Sequence, residues 1–181
     1  MSLLLATLLP GILLIVFGSV LLLDNPVVAS VAKAIPRSKA AALVFFGGAS
    51  LWFLFVVGRM GEADRILGSS NGPWVLGFAA LAVLSFMYVP DFLPVRGLSM
   101  LILLAAWPLL RAAYMEYGHP QRLFMVSLVF AAIVAAIYLA AVPYRLRDFL
   151  QWLFDQPKRA RLSGAGLLLY GLLLSIIAFT Y

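Results

Sequence analysis

Six long apolar runs alternate with short polar connectors along the chain. The runs cover residues 3–23, 40–58, 74–89, 97–114, 123–142 and 162–179. A helix needs about 20 apolar residues to cross the hydrocarbon core of a bilayer. No Asp, Glu, Lys or His falls inside a run, and the only Arg is Arg111, near the end of the fourth. The pattern predicts an all-α integral membrane protein. Its six transmembrane helices form three helical hairpins in one transmembrane domain, residues 1–181. The third run is the shortest and suits a slight extension or a thin bilayer.

Proline and glycine stand where this reading needs helix ends. Asn71-Gly72-Pro73 opens the third helix, and Gly118-His119-Pro120 precedes the fifth. Proline is cheap in the first turn, where its missing N–H has no partner to lose. Pro10 and Pro108 lie inside spans and predict kinks. Each odd-numbered helix ends at a proline: Pro26, Pro90 and Pro143. Each even-numbered helix follows a proline and basic residues: Pro36-Arg37, Pro94-Val95-Arg96 and Pro157-Lys158-Arg159. Three hairpins built alike are consistent with that recurrence. Any basic turn would also produce it.

Two connectors carry patterns of their own. In residues 26–35, Val27, Val28, Val31 and Ile35 share one helical face. In residues 144–156, Leu146, Phe149, Leu150 and Leu153 do so, while Arg145, Asp148 and Asp155 take the other side. Both read as short amphipathic helices lying in the interface, with Trp152 at headgroup level. Docking of a partner subunit is the alternative.

Composition reinforces the membrane reading. The chain is 65% hydrophobic and 11% charged, against about 45–50% and about 25% in soluble domains. Its net charge is +6. In a soluble protein that would suggest nucleic acid. Here the basic residues flank apolar runs, so they predict topogenic charge and contact with anionic lipid headgroups on the cytoplasmic side, with no nucleic acid. The first run lacks a basic leader and is too long for a signal peptide's apolar region, so it reads as a span. With no cysteine, disulfides, thiolate metal sites and cysteine catalysis are excluded.

Charge also predicts orientation. The connectors after helices one, three and five hold Lys33, Arg37, Lys39, Arg96, Arg145, Arg147, Lys158, Arg159 and Arg161, nine in all. Those after helices two and four hold four: Arg59, Arg65, Arg111 and Arg122. The positive-inside rule puts the odd connectors in the cytoplasm. Both termini then lie on the non-cytoplasmic side, in what reads as a bacterial cytoplasmic (inner) membrane.

Candidate chemistry is sparse. Coupled transporters usually carry an ionisable group near mid-membrane, and no run supplies one. Haem and zinc-protease patterns need more than the single His119, and no Gly-x-Ser-x-Gly elbow or phosphate-binding glycine motif is present. No catalytic residue, cofactor or metal is expected. Four constellations remain. Asp91 and Arg96 bracket the tight middle connector, as a salt bridge or a lipid or anion site. Arg111, Glu116, His119 and Arg122 gather on the outer side with Tyr114 and Tyr117, as solvated loop charge or a headgroup site. Outside the four, Arg145, Trp152 and Arg159 are single candidates for lipid or partner contact. Arg59, Glu62, Asp64 and Arg65 make a near-neutral outer loop that runs into a Gly/Ser tip at residues 68–72, a candidate gate or docking loop.

The fourth constellation is steric. Ala132, Ala136 and Ala140 recur every four residues. Gly47 and Gly48 notch the second helix, and Gly164 with Gly166 notches the sixth. Small faces let membrane helices approach closely, within the chain or against another subunit.

The first functional reading is a non-catalytic accessory or structural subunit, or a lipid-interacting scaffold, with other membrane subunits or self-association as partners. The alternative is a small uncoupled transporter or channel for an apolar, neutral or anionic solute. A lipid-modifying enzyme built on His119, Glu116 and Arg122 is the third.

Overall fold

The computed structural model describes residues 1–23, 25–61 and 70–181. Glu62, Asp64, Arg65 and the tip residues 68–69 therefore lie outside the described residues. Among the described residues every regular element is helical. Helix α1 spans Leu3–Leu22 and α2 spans Pro26–Ala34, followed by a 3-10 turn at Ile35–Arg37. Next come α3 (Lys39–Ala42), a π-helical turn (Leu43–Gly47) and α4 (Gly48–Gly58), which run on as one apolar rod, Lys39–Gly58. Then follow α5 (Gly72–Tyr88), α6 (Leu93–Ala113), α7 (Arg122–Ala141), α8 (Tyr144–Asp155) and α9 (Pro157–Ala178).

Five rods are long and apolar enough to cross a membrane: α1, Lys39–Gly58, α6, α7 and α9. Helix α5 is apolar but shorter, at 17 residues. At 1.5 Å per residue it reaches about 26 Å, slightly less than a hydrocarbon core of about 30 Å. No more than 33% of any of the five rods' most apolar stretches is buried. Their remaining apolar surface faces outward, as lipid permits and water does not.

Local chemistry sets the ends. Ser2, Asn25 and Ser38 cap α1, α2 and α3 by accepting from the N–H groups of Leu5 (3.4 Å), Val27 (2.8 Å) and Ala41 (3.3 Å). Pro26, Pro73, Pro94 and Pro157 occupy first-turn positions of their helices, where the ring costs no hydrogen bond. This moves two boundaries. Helix α6 begins at Leu93 and α9 at Pro157, so Pro94 and Arg96, like Lys158, Arg159 and Arg161, belong to helical first turns rather than to connectors. Pro10 and Pro108 lie inside unbroken helices.

The most extensive helix contact joins α1 to α9, and glycine makes it possible. The two run antiparallel: Gly11 faces Gly171, and seven residues on, Gly18 faces Gly164. A Cβ on Gly18 would lie 2.7 Å from both the Gly164 carbonyl oxygen and the Leu168 nitrogen. One on Gly171 would lie 2.7 Å from the Gly11 carbonyl oxygen. Backbone therefore meets backbone at two levels one heptad apart. A core of Ala6, Ala106, Ala113, Met125, Val129 and Leu174 then ties this pair to α6 and α7.

A second close approach holds the other half. Gly97 of α6 packs directly on the backbone of Phe45 and Phe46 in the π turn. Ala42, Phe46 and Leu93 are buried beside it, with Ala82, Phe86 and Met100 against them. Helix α5 rests chiefly on α4 and buries none of its residues. Asn71 fastens its start, donating from Nδ2 to the carbonyls of Gly58 and Met60, each at 3.0 Å.

Candidate functional site

A cleft runs between the rod Lys39–Gly58 and α5, with α6 as its floor. Its mouth has a volume of about 450 Å³ and is framed by Arg37, Ser38, Lys39 and Asp91. Apolar residues close it below, among them Leu43, Phe86 and Leu93. The 3-10 turn delivers Arg37, and Ser38 caps the helix that carries Lys39. Asp91 comes from the turn before α6. That turn bends sharply because Phe92 holds the left-handed conformation, φ 56°. Such a backbone is costly for an aromatic residue, about 1–3 kcal/mol. The Leu93 side chain buried after it, and the Arg37 guanidinium 5.3 Å above the Phe92 ring, hold it there.

Immediately beneath the mouth, the Phe46 and Phe86 rings meet edge to face at 5.2 Å. A second, separate cavity of about 280 Å³ lies between the same rod and α5, walled by Phe46, Phe53, Leu54, Phe78, Leu81 and Met100. Two hydroxyls line it. Ser85 turns its hydroxyl onto the Leu81 carbonyl (2.8 Å). Ser50 is 9% exposed and presents the other. The two remaining buried hydroxyls serve their own helices: Thr7 donates to Leu3 and Ser99 to Val95, each at 3.1 Å. The first cavity therefore has a charged mouth, and the second is nearly all hydrocarbon.

No protein-family model, curated protein or solved structure matches this chain. Function must be argued from the site itself.

The sequence-selected residues disperse around the molecule. Asp91 lines the mouth, but Arg96 does not: it is exposed, and no ion pair joins the two among the described residues. On the opposite face, Arg122 donates to the Ala113 carbonyl (2.9 Å) and lies 4.8 Å over Tyr117. His119 packs edge-on against Tyr181 at 5.3 Å, Arg111 covers Trp107 at 5.0 Å, and Glu116 is exposed. These contacts fold residues 114–121 onto the helix ends.

A third group forms where α8 meets α9. Arg159 lies 4.9 Å over Trp152, donates to its carbonyl at 3.2 Å and reaches Asp155 at 3.8 Å. Arg145 covers Tyr144. Leu153 is the buried residue of the α8 apolar face, whereas Phe149 and Trp152 remain about half exposed.

Among the small residues, Gly164 packs on Gly18 and Ala136 is fully buried, while Ala132 is half-buried and Ala140 exposed. Within the chain, Gly47 and Gly48 have little packed against them. A Cβ on Gly48 would meet nothing within 4 Å, and one on Gly47 only the Phe86 ring at 4.0 Å. The π turn rotates the backbone so that Phe45 and Phe46, not the glycines, meet α6.

Sequence reasoning missed Gly11, Gly18, Gly97 and Gly171, and it treated Arg37 and Lys39 only as topogenic charge. Matching seven-residue glycine spacings in α1 and α9 were a usable signal for the first group. Nothing local marks Arg37 and Lys39 as neighbours of Asp91, since the fold alone brings the two segments together.

Proposed function

We propose that this chain is a non-catalytic, six-span integral membrane protein that acts as a lipid-interacting scaffold or accessory subunit of a membrane complex. The observation that carries the reading is the pair of neighbouring cavities between the rod Lys39–Gly58 and α5, one with cations at its mouth and the other walled by hydrocarbon. Walls of phenylalanine and leucine suit an acyl chain better than a hydrated solute, because an ion or polar solute would lose its water without compensation. That weighs against transport of an anionic or polar solute.

In this reading α5 is the sixth span, slightly short and placed at the periphery. Contacts of α2 with α8, and of the 3-10 turn with α6 and α8, support a shared face for the basic connectors. Helices α2 and α8 lie along that face in the interface, where Val27, Val31, Phe149 and Trp152 keep apolar surface available to lipid. The positive-inside count assigns the face to the cytoplasm of a bacterial inner membrane. Purification from native membranes in mild detergent, followed by native mass spectrometry, tests the proposal. The protein is expected to emerge with bound lipid or partner subunits. A bare monomer in every preparation overturns it.

A further inference from the structure

The geometry points to a specific occupant of the cleft: a diacyl phospholipid whose headgroup carries both a phosphate and a primary ammonium, as in phosphatidylethanolamine. The inference rests on the lipid-interacting reading above and names the ligand class.

Charge at the mouth is the first argument. Arg37, Lys39 and Asp91 frame one opening, yet among the described residues no ion pair links the carboxylate to either cation. An opening with unpaired charges of both signs is complementary to a ligand that carries both. A phosphate satisfies Arg37 and Lys39 through charge-assisted hydrogen bonds. An ammonium on the same ligand satisfies Asp91. Inorganic phosphate, or a headgroup ending in glycerol, meets the cations but leaves Asp91 facing a like charge without compensation.

Depth is the second argument. Ser50 lies eleven residues beyond Lys39 on the same rod, about 16 Å along the axis. Half of a hydrocarbon core of about 30 Å is about 15 Å. The apolar cavity thus lies at the depth where the chains of one leaflet end. Phe46 lies seven residues beyond Lys39, about 10 Å along the axis, so the Phe46–Phe86 pair stands between mouth and cavity part-way down the length of an acyl chain.

The test uses the full chain in nanodiscs of defined composition, with retained lipid read by native mass spectrometry. Wild type is expected to retain phosphatidylethanolamine over phosphatidylglycerol by at least about tenfold, the scale of one charge-assisted hydrogen bond. Arg37→Gln with Lys39→Gln is expected to lose phosphatidylethanolamine by a similar factor. Asp91→Asn should abolish the preference by raising phosphatidylglycerol retention. Ala82→Phe, which fills the cavity from α5, should weaken both lipids alike. Lys39→Arg should bind as wild type, so the proposal stays testable if the double variant folds poorly.

Equal retention of the two lipids by wild type, with no response to Asp91→Asn, overturns the inference and leaves the broader reading standing. Inorganic phosphate displacing the lipid at equal concentration also overturns it, by showing that the mouth alone binds. Retention of no phospholipid from any composition overturns both.

Discussion

A single methyl group tests the α1–α9 seam. Gly18→Ala would put a carbon against the Gly164 carbonyl and the Leu168 nitrogen, both backbone atoms that cannot swing aside. The helices must separate, and overpacking of this kind costs about 1–3 kcal/mol. Gly48→Ala is the matched control, because its added carbon meets open space; its effect is expected within about 0.5 kcal/mol of zero. Denaturant titration in mixed micelles should separate the two clearly. Equal stability of both variants would mean that the seam does not govern stability. The aromatic partners of the arginines operate at the same scale. Arg37, Arg59, Arg111, Arg122, Arg145 and Arg159 each place a guanidinium over a ring. Each thus keeps its charge at the rim while its stem lies along apolar surface.

At the scale of the element, α5 packs chiefly on α4 and buries none of its residues. Removing the Asn71 amide should loosen it first. Asn71→Ala deletes two hydrogen bonds to the end of α4, and each is worth about 1 kcal/mol. Faster amide exchange across the first turns of α5, with α1 and α9 unchanged, is the expected signature. Uniform protection in both proteins would refute the anchoring role.

The helices themselves were legible because apolar length is a one-dimensional property. All six runs correspond to helices, and most ends agree within one or two residues. The larger shifts, at α6 and α9, arise where a first-turn proline and solvated arginines extend a helix past the apolar run. Helix faces were not legible. Residues such as Leu13 and Leu14 read alike, yet Leu13 is exposed and Leu14 packs against the core. Lipid and protein interior are equally apolar, so hydrophobicity cannot choose between them. The π turn at Leu43–Gly47 was invisible for a related reason. It arises from the fit of Gly97 against Phe45 and Phe46 across the bundle. The cleft mouth was half visible: Asp91 was selected, but Arg37 and Lys39 come from a segment more than fifty residues earlier.

For the whole molecule, orientation is the property most open to direct test. Reporter fusions at each terminus are expected to signal the non-cytoplasmic side, with Lys33, Arg37, Arg145 and Lys158 on the cytoplasmic face. A cytoplasmic signal from either end would invert or break the six-span arrangement. Inversion would also place the cleft mouth in the opposite leaflet, where the test of lipid preference still applies.

The glycine seam has a consequence in time. Its two halves come from helices that end and begin 135 residues apart, at Leu22 and Pro157. At roughly 5–20 residues per second, a ribosome needs on the order of 7–27 s to cover that interval. In a chain that spans the membrane as proposed, α1 would wait through it in the bilayer with Gly11 and Gly18 bare, available to any small-faced helix that diffuses past. The tightest contact of the finished protein is thus among the last that can form. Fidelity of assembly then depends on how long a newborn helix can wait for its proper partner.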